Sequence, residues 1–163
     1  MSGYSHILVA ANLAADHERI LPRAAAIARA FGSKVTLLHV VDLMESGGEV
    51  PTPAADVMTE PGSALPKSAT GLSANEDLVF RRLERGAYTF LEGLAQGLGL
   101  PGVETEVIES SSTWRAIVEV AIEKGADLIV VGSHPREGLN WIFGSTTDRV
   151  VRRALCDVLA VHD

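Results

Sequence analysis

Four short, almost unbroken apolar runs constrain this chain more than any other feature. They are HILVAA (His6–Ala11), KVTLLHVV (Lys34–Val41), DLIVV (Asp127–Val131) and DVLAV (Asp157–Val161). Val, Ile and Leu dominate them, and none is long enough for a helix of ordinary length. A strand with one wet face alternates apolar with polar residues. A strand covered on both faces reads as a continuous apolar run. A fifth run, ETEVIE (Glu104–Glu109), alternates more and belongs at an edge of the sheet.

Between the runs the apolar period changes from two to between three and four. Ile20, Leu21, Ala24, Ile27, Ala28 and Phe31 mark one helix, stopped at Gly32. Pro22 sits awkwardly in it, and fits if the helix proper starts near Leu21 or its first turn is loose. Leu78, Val79, Leu83, Tyr88, Phe90, Leu91, Leu94 and Leu98 predict a long helix ending near Gly97 or Gly99. Ile117, Val118, Ala121 and Ile122 predict a third, closed by Gly125. Val150, Val151, Ala154 and Leu155 predict the last. Strands separated by helices form a parallel sheet with helices on both faces, an α/β doubly wound fold. Ligands of such sheets bind at the C-terminal strand ends, where the winding reverses.

Residues 1–163 form one domain, since the length leaves no room for two. Residues 43–73 do not fit the alternation. They hold four of the seven prolines, with many Gly, Ser, Thr and Ala, and predict a long loop or mobile excursion. Aromatics are only 5% of the chain, so the core must be aliphatic. The net charge of −7 has the wrong sign for a nucleic-acid backbone or an anionic membrane. It does not oppose a small anion held by local N–H groups. The lone Cys156 allows no internal disulfide. No apolar run reaches the roughly 18 residues of a membrane span, and the N-terminus lacks a secretory pattern. A cytoplasmic protein is the expectation.

Chemistry concentrates in Ala126–Asp163. Gly132 follows the fourth strand, where a missing side chain lets a ligand or a neighbouring backbone approach. Gly144-Ser145-Thr146-Thr147 then opens a helix, whose first N–H groups and dipole favour an anion such as phosphate. The competing reading makes Ser145 an N-cap and Gly132 a tight turn.

Three blocks carry a resemblance: ILVAAN near the start, VTLLHVVD in the second strand, and ADLIVVGSH…GST…VVRRALCDVLAVHD at the end. Together they resemble the universal stress protein family across almost the whole chain, residues 43–73 matching least. The resemblance implies five parallel strands in the order 3-2-1-4-5. It also implies ATP or AMP, with or without Mg, between strands one and four. The motif of the nucleotide-binding branch is G-x2-G-x9-G-[S/T]. Gly132 matches its first glycine, Gly144 and Ser145 its last pair, and His134 a frequent position between. Pro135 replaces the second glycine and cannot offer an N–H. The intervening loop is one residue shorter, as in some nucleotide-binding members. Asn12 stands where the family has Asp, which removes a charge that could assist a metal, and Ala14 replaces a serine.

Carried over by position, Ala10, Ala11 and Asn12 flank adenine and ribose. Val40 offers an apolar face to the base. Val131 and Gly132 form the floor, and His134 and Pro135 begin the phosphate loop. Gly144, Ser145, Thr146 and Thr147 close on the phosphates. His39 is read as structural, Ser110–Thr113 as an N-cap cluster, Trp141 and Phe143 as apolar anchors, and Cys156 as a buried inert thiol.

Three functions follow. The first is a stress-response regulator that binds an adenine nucleotide and pairs with a second copy through its last strand, acting on a client no residue names. The second, motivated by Pro135 and Asn12, is a protein-interaction module that binds no nucleotide. The third is a slow ATPase or phosphotransferase, ranked last because no Gly-Lys-[Ser/Thr] phosphate loop occurs and Asn12 stands where the family has Asp.

Overall fold

The computed structural model describes residues 3–11, 17–42, 74–133 and 145–162. The expected long loop, together with Asn12, His134, Pro135, Trp141, Phe143 and Gly144, lies outside them. The order is β1 (His6–Ala10), α1 (His17–Phe31), β2 (Lys34–Asp42), α2 (Ala74–Leu98), β3 (Glu104–Ser110), α3 (Thr113–Lys124), β4 (Leu128–Ser133), α4 (Ser145–Arg153) and β5 (Asp157–His162). All four strand pairings are parallel, and the sheet order is β3-β2-β1-β4-β5. Both the doubly wound architecture and the strand order are as expected, and the alternating run lies at an edge. No helix among the described residues is long and apolar enough to cross a membrane.

The continuous apolar runs are explained by two cores, one on each face. Ile7, Val9, Val35, Leu37, Leu128 and Val130 point into a cluster closed by Ile20, Ala24 and Ala28 of α1 and Leu91 and Leu98 of α2. Their neighbours Leu8, Leu38, Ile129 and Val131 point the other way, into a cluster with Ile117, Val120 and Ala121 of α3 and Val150 of α4. Each fully buried Leu or Ile contributes about 1.5–3 kcal/mol of transfer free energy. A strand whose successive residues are all paid in this way has no room for polar alternation.

Several boundaries differ from the sequence reading: α4 stops at Arg153, which leaves Ala154 and Leu155 outside the helix, and β2, β3 and β5 each run one residue beyond their apolar runs. Helix α1 begins at His17, so Pro22 lies inside it. The proline removes a backbone bond to the carbonyl of Glu18, but both residues are exposed, and water can satisfy that carbonyl. Strand β4 starts after Asp127 and runs on to Ser133, so Gly132 is a strand residue paired with Val161 rather than the first residue of a turn. Strand β1 stops at Ala10, although the N–H of Ala11 still donates to Leu38 O at 2.8 Å.

The helix stops are as the glycines imply. Gly125 takes φ 64°, ψ 36° at the end of α3, and its N–H caps the last turn. Gly99 follows α2 with φ 59°. At the start of α3, Ser112 occupies the N-cap position without a side-chain cap bond. Ser110 Oγ organises that loop instead, accepting from the N–H of Ser112 at 3.1 Å.

Candidate functional site

The sheet order places the reversal of winding between β1 and β4. Helices α1 and α2 cover one face, and α3 and α4 cover the other. Ala10 pairs with Leu38 of β2 on one side and Val131 of β4 on the other. Val40 lies two residues beyond Leu38, nearer the strand end. Ala10, Val40 and Val131 all belong to the apolar cluster under α3 and α4. The structure therefore brings these three onto one face, at the C-terminal edge. Val131 is buried, while Ala10 and Val40 are only half-buried. Ile108 of β3 joins the same row beside Val40, its partner in register.

Ala11 goes to the opposite face. Its methyl is buried with the α1 residues, and both its backbone groups are engaged. Its carbonyl lies 3.0 Å from His39 Nδ1. A carbonyl can only accept, so Nδ1 carries the proton. His39 thus ties the end of β2 to the exit of β1. This structural role agrees with the sequence reading, although its partner could not be read from the sequence.

Beside this row stands the start of α4. Thr147 is 4% exposed, and its hydroxyl donates to the carbonyl of Gly132 at 2.6 Å. This contact pins the first turn of α4 to the end of β4. Thr147 spends its proton on the protein, so the donors left for an anion are the hydroxyls of exposed Ser145 and half-buried Thr146. The first N–H groups of α4 lack intrahelical partners and carry the positive end of its dipole. Asp148 in the same turn opposes an anion, but Arg152 pairs with it at 2.9 Å and offsets part of that charge. No spacing rule marks a Thr-to-Gly strut across fifteen residues. The only signal was the presence of hydroxyls at a helix start.

Among the other residues singled out, Cys156 is half-buried against the α3/α4 cluster. Desolvation, and after it the charges of Asp157 and Asp127, push its thiol up from its ordinary value. That disfavours the reactive thiolate. Among the described residues no group of three His, Cys, Asp or Glu side chains could hold a metal ion.

Comparisons with known proteins follow the fold. The family model described as "Universal stress protein family" matches residues 3–162. Universal stress protein A homolog 2 of Coxiella burnetii is 29% identical over 163 residues, covering 99% of this chain and 97% of the relative. Universal stress protein UspA from Lactobacillus plantarum superposes with a TM-score of 0.67 at 22% identity, covering 99% of each chain. A universal stress protein in complex with cAMP gives 0.57 at 24% identity, covering 99% of this chain and 98% of the other. One from Archaeoglobus fulgidus in complex with dAMP gives 0.59 at 19% identity, covering 97% and 98%. With two cores on one five-stranded parallel sheet, and a family model matching nearly its full length, this chain belongs to the universal stress protein family.

Proposed function

We propose that the chain binds an adenine nucleotide, AMP or ATP, at the C-terminal ends of β1 and β4, and acts as a cytoplasmic nucleotide-responsive regulator in the stress response. The observation that carries this reading is the strut from Thr147 to Gly132. It holds the start of α4, with the hydroxyls of Ser145 and Thr146, beside an apolar row at the reversal of winding. The base would lie on Ala10, Val40 and Val131. Gly132, the next residue of β4, would lie beside the sugar and phosphates, which would be met by Ser145, Thr146 and the N–H groups of α4. Thr147 serves as the strut rather than as a phosphate donor, and Ala11 acts through the backbone that His39 holds. Asn12, His134, Pro135 and Gly144 complete the proposed site. Mg, where it accompanies ATP, would travel on the phosphates. The universal stress proteins in complex with cAMP and dAMP support the choice of an adenine nucleotide.

The reading extends to a homodimer. Strand β5 is an edge of the sheet, and edges with free N–H and C=O groups invite pairing. Leu155, just before it, is 84% exposed, and Val151 of α4 is 44% exposed. Pairing β5 with β5 of a second copy would satisfy the edge and cover these side chains under two-fold symmetry.

A thermal-shift titration tests the nucleotide site. Ligand at a hundred times Kd stabilises by about 2.7 kcal/mol, which for a chain of this size raises Tm by about 5–10 °C. No shift with millimolar AMP or ATP would count against the proposal.

A further inference from the structure

Trp114 is the second residue of α3, which follows the C-terminal end of β3. It is half-buried and packs against the apolar cluster whose other half-buried members include Ala10, Val40 and Ile108. The guanidinium of Arg115 lies 5.5 Å from the centroid of its ring. Arg115 is exposed, so its guanidinium lies on the solvent side of the indole. Helix α3 packs on β2 and against α4. Its first turn therefore rises beside the apolar row on which the proposed base would rest.

We infer that Trp114 is a specificity-determining wall of the nucleotide site, stacking against the purine ring while Arg115 holds the indole from behind. This rests on the nucleotide site proposed above and adds a residue and a selectivity to it. The physics is that of any base on an aromatic plate. Two π faces in contact exclude water, the stack is worth a factor of about ten or more in affinity, and a larger ring stacks better. The cation over the far face adds an attraction that keeps the indole in place. The inferred ligand class is a purine nucleotide, recognised through its base as well as its phosphates.

Calorimetric titration of AMP and CMP into the wild type, Trp114→Phe and Trp114→Ala separates the possibilities. Thermal melts of the three proteins check that each is folded. The wild type should prefer AMP over CMP. Trp114→Ala should weaken AMP about tenfold and narrow that preference, and Trp114→Phe should keep most of both. Unchanged AMP affinity in folded Trp114→Ala would overturn the inference and leave the nucleotide site standing. Equal losses in the Phe and Ala variants would also overturn it, because the plate would then not be what matters. If the folded wild type binds neither nucleotide, the site and its wall fall together. If Trp114→Ala does not fold, Trp114→Phe decides alone: a retained preference for AMP supports the stack, and a lost one contradicts it.

Discussion

Single residues near the strand ends are held by hydrogen bonds that leave no trace in spacing. Thr147 is an example, because its hydroxyl is buried and has one carbonyl to serve, that of Gly132. Thr147→Val keeps the shape and removes the donor, leaving that carbonyl without this partner. The expected cost is about 1–3 kcal/mol, a sizeable share of a stability of about 5–15 kcal/mol. Because the strut sets where the start of α4 stands, the same variant should weaken AMP binding, and Thr147→Ser should restore both properties. Urea denaturation paired with calorimetry reads the two effects. A variant that loses stability and keeps full affinity would show that the strut does not position the site.

Elements were legible where burial dictates residue type. The unbroken runs at His6–Ala11 and Lys34–Val41 announced strands covered on both faces, and the two cores supply that cover. The alternating run at Glu104–Glu109 announced an edge, where Lys34 and Lys124 meet Glu104 and Glu106 in ion pairs. The row of Ala10, Val40 and Val131 came from the family resemblance, carried over by position, and the structure brings the three onto one face. What stayed hidden was polar and long-range. Pro22 looked like a helix boundary because the sequence does not show that Glu18 faces water. Asp127 read as the first residue of a strand, yet it serves as a brace. Its carboxylate accepts from Ser5 N at 2.8 Å, Ser5 Oγ at 2.6 Å and His6 N at 3.0 Å. Thus it ties the start of β1 to the start of β4. His6 extends the brace. Its Nδ1 lies 3.1 Å from the carbonyl of Lys124, so in the neutral ring Nε2 accepts from Thr36 at 2.8 Å.

Desolvation pushes the Asp127 carboxyl up. The hydrogen bonds from Ser5 and His6 favour its charged form, and the net direction is down. A carboxylate lowered on folding adds stability above its unfolded value, about 3.9. That stability disappears as pH falls through the lower folded value. The brace is therefore fully active at neutral pH and fails on the acid side, below about pH 4. Asp127→Asn replaces an acceptor by an NH2 group that faces other donors. It should lower the urea midpoint at pH 7 and flatten the acid limb of the stability curve. Midpoints measured from pH 2.5 to 7 check this, and a variant curve parallel to the wild type throughout would refute it.

At the scale of the whole molecule, the sheet has two edges and treats them differently. The β3 edge carries the ion-pair cluster of Lys34, Lys124, Glu104 and Glu106, a common device against pairing. The β5 edge instead adjoins exposed Leu155 and Val151. The expected consequence is a dimer at tens of micromolar by sedimentation velocity, and a monomer after Leu155→Asp with Tm little changed. A wild type that sediments only as a monomer would contradict pairing through β5. The acidic net charge has no bearing on the nucleotide, because the proposed phosphate contacts are helix-start N–H groups and two hydroxyls rather than a basic surface. Nucleotide binding is proposed for that one place at the ends of β1 and β4. Its most direct test is calorimetric titration of AMP and ATP into the folded wild-type protein. A saturable heat with one nucleotide per chain is expected for at least one of the two. No heat from either up to millimolar concentration, with the protein folded, would contradict it.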